Sequence, residues 1–91
     1  MTTYNYMCEM EQLCFKAEQA LKVLGDKGLE DFYASAEVGY EAKAIRLGFY
    51  EANEEINQSQ IESYLRVTDF VHEKELEAAE KLEPGSGKEK R

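Results

Sequence analysis

Between Leu29 and Ile56 the apolar positions fall on two opposite sides of a helical wheel drawn at about 100° per residue. One face carries Leu29, Phe32, Tyr33, Ala36, Tyr40, Ala44, Leu47 and Tyr50. The other carries Ala34, Val38, Ala42, Ile45, Phe49, Ala52 and Ile56. An acidic stripe (Glu30, Glu37, Glu41, Glu55) and a mixed one (Ser35, Arg46, Asn53) separate them. A helix with two apolar faces needs cover from both sides. This stretch is therefore expected to be the element around which the rest is arranged. Gly39 and Gly48 inside it each disfavour the helix by about 1 kcal/mol relative to alanine, which a close crossing or a local bend would explain.

The flanking segments each show one apolar face. Tyr6, Met7, Met10, Leu13, Cys14, Ala17, Ala20, Leu21 and Leu24 form a heptad-like stripe after a threonine cap at Thr2 or Thr3. Tyr4, Cys8 and Phe15 lie off that stripe. Gly25 stands where a left-handed cap ends a helix, and the short turn Gly25-Asp26-Lys27-Gly28 makes the next helix an antiparallel neighbour. Asn57-Gln58-Ser59 interrupts the pattern, and Ser59 with Glu62 reads as a capping box. The third stripe is Ile61, Tyr64, Leu65, Thr68, Val71, His72, Leu76 and Ala79, with Val67, Ala78 and Leu82 at its margin and Phe70 on the opposite side. Pro84 ends that helix.

These elements predict an all-α fold, an up-down-up three-helix bundle with a long central helix. Its helices cover residues 3–24, 29–56 and 59–83 of an acidic domain spanning 1–83, followed by a flexible basic tail over 84–91. The middle helix would be roughly 42 Å long. Phe15, Phe70 and one face of the middle helix would be left outside a single chain, so a helical dimer is expected to cover them.

Composition narrows the chemistry. The chain has 91 residues, enough for one small domain, and 43% of them are hydrophobic. No run reaches the length of a membrane span, and Met1-Thr2-Thr3-Tyr4 lacks the basic and apolar regions of a signal peptide. Cys8 and Cys14 sit on one helix about 120° apart and cannot bridge without unwinding it. A reducing cytoplasmic setting is the plain reading. The one histidine, His72, lies on the apolar stripe of the third helix, where a packed residue at the edge of the core is expected before a catalyst. Asp69 and His72 form a single D-x-x-H pair, and a helical di-metal site needs two. Gly85-Ser86-Gly87-Lys88 has no strand before it to make a phosphate loop. No enzyme, cofactor or metal site is predicted.

Charge points to a partner. The formal net charge is −8, and residues 1–83 carry −10 once the tail's Lys88, Lys90, Arg91 and Glu89 are set aside. Such a body repels nucleic acid. Its acidic residues serve solubility first, and an ordered acidic stripe can also meet a basic protein surface. Glu30, Glu37, Glu41, Tyr40, Phe15 and Phe70 are the candidate partner-binding residues. The stretch Phe32-Tyr33-Ala34-Ser35-Ala36-Glu37 resembles the Phe-Tyr-small-small-Ala-acidic stretch of the Hha/YmoA regulators, and Met1-Thr2 and Tyr6 are placed as at the start of that family. The resemblance implies a modulator of a nucleoid DNA-binding protein. This chain departs from the family in its shorter loop before the stretch, its acidity and its long third helix. The expected function is a non-enzymatic protein-binding regulator, inhibitor or adaptor that acts by stoichiometric contact. A self-assembling helical protein and an acidic nucleic-acid mimic are the alternatives.

Overall fold

The computed structural model describes residues 1–82, so the basic tail expected over 84–91 lies outside the described residues. The described chain is all-helical, with α1 at Thr3–Leu24, α2 at Lys27–Arg46, a single-turn α3 at Phe49–Ala52 and α4 at Gln58–Leu82. No described helix is long and apolar enough to cross a membrane.

The first helix, and not the middle one, is the hub. It packs against both α2 and α4 and touches α3. Its stripe supplies Tyr6, Met10, Cys14, Ala17, Ala20 and Leu21, six of the eight buried apolar residues among those described. α2 buries none completely. Ala17, Leu21 and Val71 form the centre of the core, with Leu13, Tyr33, Val67 and Phe70 packed around it. The two-faced reading of the middle stretch therefore needs correcting. One face does pack, through the half-buried Tyr33, Ala36, Tyr40, Ala44 and Leu47, while Val38 and Ile45 on the other face meet solvent.

The middle stretch is also not one long helix. It stops at Arg46, and Leu47 and Gly48 are extended, with ψ of 133° and 165°. At 20 and 22 residues, α2 and α1 are matched in length. A helix continued to Ile56 would run past the start of α1 with nothing to cover it, and Gly48 puts a weak helix former at the place where the chain must turn back. No close crossing explains either glycine, since a side chain added at Gly39 or Gly48 would meet nothing within 4 Å.

After α3 the chain passes the start of α1 as a strap. Thr3 N–H donates to the Glu54 carbonyl at 2.7 Å, and Ile56 N–H donates to the Met1 carbonyl at 3.1 Å. The Met1 ammonium pairs with Glu55 at 3.0 Å. The strap starts α4 at the same end as α1, so the two run parallel and α2 runs against them.

The caps follow local chemistry. Thr2 accepts from Asn5 N–H at 3.2 Å, and Asp26 accepts from Leu29 N–H at 3.1 Å, so α2 starts two residues earlier than expected. The capping box of α4 is also two residues earlier than Ser59 and Glu62. Asn57 Oδ1 accepts from Gln60 N–H at 2.9 Å, and Gln60 Oε1 accepts from Asn57 N–H at 2.9 Å. Asn and Gln satisfy the same pair of free amides that Ser and Glu would. Gly25 has φ +82° and donates to the Leu21 carbonyl at 2.8 Å. Gly25→Ala should therefore destabilise the fold by about 1–2 kcal/mol through backbone strain. Urea denaturation checks this, and an unchanged midpoint would show that the turn can relax.

Candidate functional site

Sequence reasoning proposed a stripe of carboxylates on the middle helix, and the structure breaks it and rebuilds part of it. Glu55 leaves the stripe because the helix ends before it, and it holds the chain's amino terminus instead. Glu30 stays near the first turn of α2, where its charge adds to that of Asp31 in raising the Lys27 ammonium. Lys27 is held by Asp31 at 3.0 Å.

Glu37 and Glu41 gain company from α1. Partial burial raises the Glu37 carboxyl above its ordinary range first, followed by Glu18 and then by the charges of Glu11 and Glu41. Four carboxylates from two helices thus meet along the α1–α2 edge. Each sits there because the α1–α2 packing directs Tyr6, Met10 and Cys14 inwards and leaves Glu11 and Glu18 at the seam. Glu11 and Glu18 were missed by the sequence reading. They belong to a different helix from the stripe, and only the pairing of α1 with α2 joins them.

Phe15 stands beside this cluster. Its ring is 49% exposed, and with Glu11, Gln12, Lys16 and Glu37 it lines an open depression of about 400 Å³. The expectation that Phe15 lies outside the core holds. Phe70 does not, because it packs on the core and stacks on Tyr33 with ring centres 5.3 Å apart and planes 19° apart. The α4 face turns towards Gln60, Tyr64, Val67, Val71 and Ala78, and so brings Phe70 inside while Ile61, Leu65 and Leu76 are left to solvent. His72 moves outward with them and is exposed, not packed at the edge of the core.

Tyr40 lies between the two flanks of α1. It meets Tyr6 edge-on at 6.4 Å, and Lys43 Nζ sits 5.3 Å from its ring centre. Burial, and then the Tyr6 hydroxyl, push its phenol up to about 12. Beside it, a cleft of about 270 Å³ opens between α2 and α4, with Met10 and Cys14 as its floor and Phe32, Ser63 and Arg66 on its rim.

The thiols are free, Cys14 buried and Cys8 half-buried. Among the described residues no three His, Cys, Asp or Glu side chains are placed to hold a metal ion. What this arrangement offers chemically is contact, through carboxylates that repel one another and an exposed ring beside them.

No family model, curated protein or solved structure matches the chain.

Proposed function

We propose that this protein is a non-enzymatic regulator, inhibitor or adaptor that binds another protein stoichiometrically and presents the α1–α2 edge to a basic surface. The observation that carries this reading is the gathering of Glu18, Glu11 and Glu41 about Glu37, which with Glu11 and Lys16 lines the depression beside the exposed Phe15. The charges of Glu18, Glu11 and Glu41 act against the Glu37 carboxylate, and an incoming cation would relieve that repulsion. Phe15 adds the apolar anchor that a contact between charges alone lacks. Glu30 extends the edge, and Tyr40 and Phe70 support it from inside by fixing α2 and α4 on α1. The free thiols fit a reducing cytoplasmic setting.

A second reading, self-assembly into a helical dimer or a larger oligomer, draws on a different observation. Phe32, Val38, Ile45, Phe49, Tyr50, Leu65 and Leu76 are all exposed, more apolar surface than a small monomer usually shows. Mimicry of nucleic acid and modulation of a DNA-binding protein are special cases of the first reading, in which the basic partner is itself a nucleic-acid binder.

Immobilised protein exposed to cell extract tests the main reading. The unmodified chain should retain a basic protein that salt releases, and titration should plateau at a fixed ratio. The triple variant Glu11→Gln, Glu18→Gln, Glu37→Gln should keep its helix content and lose that partner. A partner retained equally by both proteins would place binding elsewhere on the surface. Turnover of a substrate by catalytic amounts would end the contact model altogether.

A further inference from the structure

The chain is acidic as a whole, yet the cleft between α2 and α4 has a single charged residue in its lining, and that residue is basic. The cleft between α2 and α4 has Met10 and Cys14 at its floor, and no carboxylate lines it. Arg66 stands on its rim and makes no ion pair with any described residue. Lys43 lies over the ring of Tyr40, which forms one wall, and is likewise unpaired among the described residues. Lys74 lies 5.6 Å from the ring centre of Phe70, further along the same row of aromatic rings, and shares its charge with Glu77 at 3.4 Å. The volume of about 270 Å³ is at the small end for a ligand pocket and suits one or two side chains from a helix.

The side of α1 that carries Phe15 is the complement of this cleft in charge, and stands as a ridge between two open depressions. Phe15 projects from it, Glu11 precedes Phe15 by one turn, and Glu18 follows it by almost one turn. The charges of Glu37 and Glu41 deepen the negative field on one side of the ridge, while Lys16 lies beside Phe15 on the side towards α4.

We propose that the α1 ridge of one copy docks into the α2–α4 cleft of a second copy, with Phe15 entering the cleft and Glu11 and Glu18 lying against Arg66 and Lys43. The occupant is a second copy because the charge complement is present in this chain: an aromatic side chain flanked by carboxylates, facing an aromatic-walled cleft with Arg66 on its rim and Lys43 over its Tyr40 wall. Two different surfaces meet, so the contact is head-to-tail. Each added copy leaves one ridge and one cleft free, and assembly does not stop at a dimer. The net charge of −8 opposes association over long distances. At physiological ionic strength that repulsion is screened beyond about 8 Å, and the contact pairs are what remain.

The inference uses the acidic surface of the proposed function, and the two separate cleanly. Arg66→Glu damages the cleft and leaves the ridge whole, so it should still bind a basic partner while losing self-association.

Sedimentation velocity on the full chain over a range of concentrations tests the proposal. The mean mass should climb past that of a dimer as concentration rises. Arg66→Glu and Glu18→Lys, each folded by circular dichroism, should separately weaken association by about tenfold or more, since each sets like charges against one another. Mixed together, they should associate again, because the basic ridge of one then meets the acidic cleft of the other. A monomer at every concentration overturns the proposal and leaves the cleft to an acidic helix of another protein. Growth that stops at a dimer, or a mixture that fails to restore association between two folded variants, overturns it as well.

Discussion

Leu21→Ala should lower the unfolding free energy by about 2–5 kcal/mol, the range for emptying the site of a buried leucine. For a domain of this size that is a large share of the whole. Leu21 is 1% exposed and packs with Ala17 and Val71 at the point where α1 meets α4. Tyr33 from α2 reaches the same cluster. The cavity would thus loosen three helices at once, and a chain with so few fully buried side chains has little to collapse into it. Tyr40→Asp should also destabilise, because it sets a carboxylate beside the buried Tyr6. By contrast, Ile45→Asp and Leu65→Ala should change stability by no more than about 0.5 kcal/mol, as both side chains face solvent. Urea denaturation followed by circular dichroism ranks the four variants. If Ile45→Asp unfolds the chain as readily as Leu21→Ala, α1 is not the hub and the middle stretch is covered on both faces after all.

That ranking marks how far the sequence could be read. The stripe of α1 was legible from Tyr6 to Leu24, and so were the caps at Thr2 and Gly25, because each rests on local spacing or on backbone geometry at one residue. The hub was misassigned because periodicity counts apolar positions and says nothing about which are covered. Val38 and Ile45 continue a regular apolar pattern, yet both face solvent. The break at Leu47 and Gly48 was hidden for a related reason. The apolar pattern continues through it, and what stops the helix is the length of α1 beside it. The periodicity of α4 favours its Leu65–Leu76 side as the inward one, which would strand Phe70 outside. The true orientation turns smaller and more polar residues inwards, with Ala78 buried and Ser63 half-buried on the side of α4 that packs on α1. Of the candidate site, Glu37, Glu41 and Phe15 were legible. Glu11 and Glu18 were not, since the edge they complete exists only when two helices lie side by side.

Stability should fall steadily as the pH rises above 9, and Cys14 should be the first cause. Burial, and then the negative charge of Glu37, push its thiol from 9.0 up to about 11. Between those values the folded chain keeps the proton and the unfolded chain releases it. Unfolding then sheds one proton, so the free energy of unfolding drops by about 1.4 kcal/mol for each pH unit across that window. Below pH 9 the thiol is protonated in both states and contributes no slope. Tyr40 acts in the same direction from a higher start, raised from 10.0 to about 12 chiefly by burial, and Tyr33 is raised by burial and by Cys14. The three side chains share one neighbourhood, with Cys14 at the floor of the cleft and the two tyrosines on its wall. From about pH 10 the unfolded chain also releases the two tyrosine protons that the folded chain keeps, and the loss steepens. Urea midpoints at intervals from pH 7 to pH 11 read the slope. Cys14→Ala should be less stable at neutral pH, because it leaves a small cavity, yet its midpoint should stay nearly level between pH 9 and pH 10, where the unmodified protein is already losing ground. Comparing slopes, not midpoints, separates titration from packing. A flat profile for the unmodified protein up to pH 11 would mean that Cys14 reaches solvent in the folded chain, and that the α2–α4 cleft opens down to its floor.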